Sequence, residues 1–149
     1  MKTGEVVENF QLRDQFNNIF DLYDNLYENI LLVFYPKDNS PVCSKQLTNY
    51  CLNKNEFRKN GVKIIGVNIE PEDSHYSFCN EHKIDILLLS DKQKKVSNYF
   101  NAINILGQNK RKLVLIGTDR KIKFVKTNFA IFYLKSQKLL NEYIKVQLG

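Results

Sequence analysis

Two predominantly apolar stretches, residues 29–35 (NILLVFY) and 62–69 (VKIIGVNI), constrain this chain more than any other feature. Neither alternates polar with apolar residues, and both are rich in β-branched side chains, the pattern of strands buried on both faces of a parallel sheet. Parallel neighbours require a crossover, and the residues between them supply one. Ser40 can cap a helix and Pro41 suits its first position, after which Leu47, Tyr50, Cys51 and Phe57 recur at helical spacing. The pattern predicts a βαβ unit whose helix runs from Pro41 toward Arg58.

Downstream, a helix is expected from near Asp73 and Ser74 to near His82, then a strand over residues 85–89 and a short helix over 96–100. Residues 112–116 and 121–125 flank Gly117-Thr118-Asp119-Arg120, the mark of an antiparallel hairpin closed by a tight turn. Leu134, Leu139, Leu140, Tyr143 and Ile144 outline a C-terminal amphipathic helix. Parallel strands early, a hairpin late and helices on both faces predict an α/β, thioredoxin-like fold with a central mixed β-sheet flanked by helices. No linker, repeat or low-complexity tract divides the 149 residues, so a single domain spanning 1–149 is expected.

No apolar run approaches the roughly 20 residues of a membrane-crossing helix. The opening Met1-Lys2-Thr3-Gly4-Glu5 does not lead into a signal-peptide pattern, so a cytoplasmic protein without membrane contact is expected. The net charge of +6 would suit an anionic partner. Yet 18 of the 22 basic residues are Lys, and the clusters Lys92-Lys94-Lys95 and Lys110-Arg111-Lys112 are short and lack interleaved aromatics for stacking bases. Nucleic acid is therefore not an expected partner.

The three cysteines, Cys43, Cys51 and Cys79, match neither paired zinc-ligand spacing nor a vicinal dithiol, which points to reduced thiols of which one can be a nucleophile. His75 and His82 are too far apart in sequence to share a metal, and helix-cap or surface roles are expected for them. No Gly-rich phosphate loop supports a flavin or nucleotide site. Cys43 stands out by position. It falls in the first turn of the predicted helix, at the carboxyl end of a buried strand, where α/β proteins build their sites. Unpaired backbone N–H groups and the positive helix end favour thiolate there. Ser40 can donate its hydroxyl to a bound oxygen, and Pro36 can screen the thiol from water. Against this stands the common role of a lone cysteine as a small buried hydrophobe.

Pro36, Ser40 and Cys43 match the Pro-x-x-x-Thr/Ser-x-x-Cys motif of the peroxiredoxins, which this sequence resembles. Phe34-Tyr35-Pro36-Lys37-Asp38 is similar to the peroxiredoxin Q, or bacterioferritin comigratory protein, subfamily of the AhpC/TSA family. The likeness continues through Ile65-Gly66-Val67, Ser74-His75, Leu88-Leu89-Ser90-Asp91 and the hairpin at Arg111. The sequence departs from the family pattern with Ser40 for the usual Thr, Val42 for Gly, Gln46 for Glu and Gly117 for Asp. The resemblance implies a thiol-specific peroxidase in which the Cys43 thiolate attacks a hydroperoxide, Ser40 and the Arg111 guanidinium stabilise the polarised peroxide, and no metal or organic cofactor is needed. It further implies recycling by thioredoxin or a similar dithiol reductant, in a monomer or weak dimer. The position that carries the resolving cysteine in many relatives is Thr48 here, whereas the interval used by another subset ends on Cys79, so the resemblance assigns resolution to Cys79. Cys51 would stand about 12 Å along the same helix from Cys43, beyond the roughly 4.4–6.8 Å between Cα atoms of a disulfide. Its spacing from Leu47 suggests a core-facing packing thiol. The competing class is a non-catalytic thioredoxin-fold binding or chaperone-like module with a redox-sensitive Cys43.

Overall fold

The computed structural model describes residues 1–128 and 132–148. Its elements, in chain order, are β1 (Gln11–Arg13), β2 (Ile19–Asp21), β3 (Asn29–Phe34), α1 (Pro41–Leu52), α2 (Lys54–Lys59), β4 (Val62–Asn68), α3 (Glu72–His82), β5 (Leu87–Ser90), α4 (Lys95–Tyr99), β6 (Arg111–Ile116), β7 (Ile122–Asn128) and α5 (Ser136–Leu148). The strands form one sheet in the order β2-β1-β5-β4-β3-β6-β7. β3 pairs in parallel with β4, and β4 with β5, while β6 runs antiparallel on the other edge of β3. This is the mixed sheet expected of a thioredoxin-like α/β protein.

The two apolar runs are the adjacent parallel strands β3 and β4, and their sequences explain their place. From Ile30 to Phe34 every side chain of β3 is buried, so a run without polar alternation can only sit where both sheet faces are covered. One face packs against Leu47 and Tyr50 of α1, Phe57 of α2, Phe78 of α3, and Leu139, Leu140 and Tyr143 of α5. The other packs against Val96 of α4, Phe100, and the N-terminal Val7, Phe20, Leu22 and Leu26. Among the described residues no helix is long and apolar enough to cross a membrane.

Four details differ from the sequence reading. The predicted helix from Pro41 toward Arg58 is two helices, because Asn53 leaves helical geometry (φ −109°, ψ 10°) and its N–H turns back to Tyr50 and Cys51. The strand expected over 85–89 begins at Leu87, since the chain is still closing α3 at Ile84, whose N–H donates to the Cys79 carbonyl. Leu134 precedes α5 and packs half-buried against the core. The hairpin of β1 and β2 was not legible, as three-residue strands are too short to show a period.

Gly66, in the middle of β4, positions the ring of Tyr35. A Cβ built there would lie 2.6 Å from Leu88 Cδ2 and 3.2 Å from Tyr35 Cε1, and both neighbours are fully buried. Gly66→Ala is expected to destabilise the fold by about 1–3 kcal/mol through overpacking, seen as a lowered denaturant midpoint. A midpoint at or above that of the unchanged chain would show that Tyr35 and Leu88 can shift freely.

Candidate active site

After β3 the chain leaves the sheet through residues 35–40 and enters α1. Asn39 adopts a left-handed conformation (φ 63°), which Asn tolerates better than most residues, and Ser40 returns to extended geometry as the N-cap. Ser40 Oγ accepts from the Cys43 N–H at 3.4 Å and donates to the Lys37 carbonyl at 3.3 Å. Pro41 takes the first helical position, where a missing N–H costs nothing. Cys43 is thereby set in the first turn of a twelve-residue helix, fully buried. Pro36 lies half-buried in the same loop.

Arg111 reaches Cys43 by register. Lys112 of β6 stands opposite Phe34, the last residue of β3, so Arg111 lies one step further along, level with the loop that leads to α1. Far from being a solvated charge, Arg111 is 4% exposed. Its Nη2 donates to Cys43 Sγ at 3.3 Å and its Nη1 to Gln46 Oε1 at 2.5 Å. Gln46 Nε2 is in turn 3.3 Å from the Tyr50 hydroxyl, which donates to the Leu134 carbonyl at 2.6 Å. The amide of Gln46 thus keeps the clamp on the guanidinium that a carboxylate would make. The sulfur of Cys43 therefore sits at a helix start with a guanidinium donor beside it. Lys112, its sequence neighbour, is buried on the opposite sheet face and donates to the Phe100 carbonyl at 2.6 Å.

Cys79 is buried on α3 and belongs to the same core layer as Cys43. Burial, followed by the negative charge of Asp38, pushes its pKa up to about 12, so in place it is a thiol. Gln15 Nε2 lies 3.6 Å from its sulfur. Cys51 is not the core-facing thiol expected. At about 100° per residue it stands about 80° round the helix from Cys43, on the flank of the buried face. There its S–H donates to Asp85 Oδ1 at 2.7 Å, while Asp85 also pairs with Lys54. Burial and the Asp85 carboxylate both raise the Cys51 thiol above its ordinary pKa.

The polar cluster beneath the loop is not legible in the sequence, and His75 is neither the cap nor the surface residue expected. His75 is fully buried, its Nδ1 2.7 Å from Asp38 Oδ2 and its Nε2 donating to the Leu89 carbonyl at 3.1 Å. Asp38 also accepts from the Tyr35 hydroxyl at 2.6 Å, the Ser74 hydroxyl at 2.6 Å and Asn68 Nδ2 at 3.2 Å. The one signal available is a carboxylate four residues beyond the end of β3, which does not reveal which partners the fold will bring to it. Among the described residues no cluster of three or more His, Cys, Asp or Glu side chains could hold a metal ion.

A buried thiol at a helix start, under a guanidinium at the end of a thioredoxin-like sheet, is the architecture of a thiol peroxidase. The model of the AhpC/TSA family matches residues 3–125. A putative peroxiredoxin bcp of Helicobacter pylori strain J99 is 30% identical over 102 residues, covering 68% of this chain and 67% of that protein. Chloroplastic peroxiredoxin Q of Arabidopsis thaliana is 32% identical over 93 residues, 62% of this chain and 43% of the plant protein. The crystal structure of peroxidoxin BcpB from Mycobacterium tuberculosis superposes with a TM-score of 0.85 at 28% identity, covering 98% of this chain and 96% of that one. The chain belongs to the AhpC/TSA family, in the branch of the bacterioferritin comigratory proteins and peroxiredoxin Q. Its activity is that of a thiol peroxidase, an oxidoreductase.

The N-cap can be tested apart from the chemistry. Ser40→Ala should lower stability by about 0.5–2 kcal/mol, the usual worth of such a cap, measured in chemical denaturation. An unchanged midpoint would show that the cap adds nothing to α1.

Proposed function

We propose that Cys43 is the peroxidatic nucleophile, that Pro36, Ser40 and Arg111 shape its pocket, and that Cys79 resolves the oxidised intermediate. The contact that carries this reading is the 3.3 Å hydrogen bond from Arg111 Nη2 to Cys43 Sγ. It does not favour a passive binding module, in which a buried cysteine would have no need of a buried guanidinium.

In the first step the Cys43 thiolate attacks the terminal oxygen of a hydroperoxide. An S–O bond forms as the O–O bond breaks, and the departing oxygen takes a proton to leave as water or an alcohol, giving sulfenic acid. Arg111 and the Ser40 hydroxyl supply donors toward the charge that builds on the peroxide oxygens. In the second step the Cys79 sulfur attacks the sulfur of that sulfenic acid. A disulfide forms and the hydroxyl leaves as water, taking up the proton that Cys79 gives up. A dithiol reductant such as thioredoxin then attacks the disulfide, returns both thiols and is itself oxidised. Cys79 is a neutral thiol in its buried position, so resolution in this reading requires α3 to loosen locally. The whole chain acts as one cytoplasmic peroxiredoxin domain, a monomer or weak dimer, independent of nucleic acid and membrane.

Peptide mapping after one equivalent of hydrogen peroxide should find Cys43 linked to Cys79 within one chain, with Cys51 free. Cys43→Ser should abolish peroxide turnover. A Cys43–Cys51 bond, or unchanged thioredoxin-dependent turnover in Cys79→Ser, would refute the resolving role while leaving Cys43 as nucleophile.

Arg111→Ala should lower kcat/KM for hydrogen peroxide by a factor on the order of 10²–10³, as expected for a principal donor to the transition state. Arg111→Lys should recover only part of that loss, because an ammonium cannot hold Gln46 and the sulfur with one planar fork. Full activity in the alanine variant would remove Arg111 from the mechanism.

A further inference from the structure

We propose that Asp38 is a positioning residue, whose buried carboxylate clamps the loop before α1 to the start of α3, holding Cys43 ready for peroxide and keeping it from Cys79 until the clamp opens. This rests on the reading of Cys43 as nucleophile and Cys79 as resolving thiol.

Four segments of the chain meet at this carboxylate. Asp38 belongs to the loop that also carries Pro36 and Ser40. Its partners come from three other places: Tyr35 at the end of β3, Asn68 at the end of β4, and Ser74 and His75 on α3. Glu70 braces the same junction, its Oε1 accepting from the Asp38 N–H at 2.9 Å and its Oε2 lying 2.7 Å from the Ser74 hydroxyl oxygen, whose one proton the two carboxylates share. His75 cannot turn away, because its other nitrogen is bound to the Leu89 carbonyl of β5. Asp38 is 3% exposed, so water does not compete for these contacts.

The clamp joins the two segments that must rearrange before Cys43 and Cys79 can bond. Asp38 precedes Cys43 by five residues, and His75 precedes Cys79 by four, one turn back along α3. Tyr35 lies between them, buried, with its phenol raised well above its ordinary pKa by burial, by Asp38, and by the proximity of both Cys79 and Cys43. While the clamp is closed, the charge of Asp38 also helps to keep Cys79 protonated, after the larger effect of burial. Opening it would free the loop, loosen the first turns of α3 and relieve Cys79 of that charge together. A clamp of this kind predicts opposite effects on the two steps, which a general loss of structure does not.

The experiment uses the full-length reduced protein, with hydrogen peroxide as probe, rapid quenching, and mass spectrometry of the Cys43 and Cys79 thiols. Asp38→Asn keeps the shape but presents an amide N–H₂ to donors that need an acceptor. The rate constant for oxidation of Cys43 should fall by about 10- to 100-fold, the scale expected when a reacting group is misplaced. The rate of Cys43–Cys79 bond formation from the sulfenic acid should rise severalfold. Tyr35→Phe removes one hydrogen bond to Asp38 while leaving the ring in the core, and should shift both rates in the same directions by less, keeping the test available if Asp38→Asn does not fold. Rates that stay unchanged, or fall together, in a folded variant overturn the proposal. The underlying reading fails separately: oxidation by one equivalent of peroxide at another cysteine in Cys43→Ser, or an intramolecular disulfide still closing at the unchanged rate in Cys79→Ser, would overturn it and the clamp with it.

Discussion

The pairing of β3 on both edges is the constraint from which the rest of the site follows. Parallel pairing with β4 sets Phe34 opposite Val67, and antiparallel pairing with β6 sets it opposite Lys112. Where β3 stops, therefore, two neighbours deliver their own ends to the same place. β4 delivers Asn68, which binds Asp38, and β6 delivers Arg111, which binds Cys43. The six residues from Tyr35 to Ser40 have only to turn the chain into α1 between these fixed points. A slip of one residue along β6 would flip Arg111 to the face now occupied by Lys112.

Two buried polar systems flank the thiol and differ in kind. On the β6 side, Arg111, Gln46, Tyr50 and the Leu134 carbonyl form a chain of hydrogen bonds that ties the α1 face to the segment before α5. On the α3 side, the Asp38 carboxylate and the His75 ring form a buried hydrogen-bonded pair, 2.7 Å apart, with further support from neutral donors. Removing one partner from such a pair typically costs about 1–3 kcal/mol, because the other is left buried without its hydrogen bond. The pair thus fixes an arrangement more than it stabilises the fold, since well-packed apolar residues could fill the same space. Such a cluster suits a loop held in one geometry.

The parts of the fold legible in the sequence were those with a local physical cause. Residues 29–35 and 62–69 could only be buried strands, Ser40 and Pro41 marked a helix start, and the turn around Gly117 to Arg120 joined two clear strands. Cys43 was legible because its place in that helix start makes a chemical argument by itself, and Arg111 only through resemblance, since Lys110, Arg111 and Lys112 read as a solvated cluster. What decides their fates is strand register, which sends Arg111 to one face and Lys112 to the other. His75 was misjudged for the same reason. A histidine among Asp73, Ser74, Tyr76 and Ser77 looks exposed, and only the packing of α3 against the exit of β3 gives it a carboxylate and a carbonyl to bind. Cys51 was misjudged by one angular step, from the packed face of α1 to its flank.

The identity of residue 46 sets how the two flanking systems respond to acid. Burial pushes the Asp38 carboxyl up, but the hydrogen bond and charge of His75, with the Ser74 and Tyr35 hydroxyls, outweigh it and hold the group below its ordinary value of 3.8. Its contribution is therefore complete above that ordinary value and is lost as the pH falls through the depressed one. Gln46 takes up no proton over that range, and its oxygen remains an acceptor for Arg111 where a glutamate would begin to surrender the role. Acidification should therefore dismantle the site from one side only, releasing the loop from α3 while the Gln46 oxygen still holds the guanidinium.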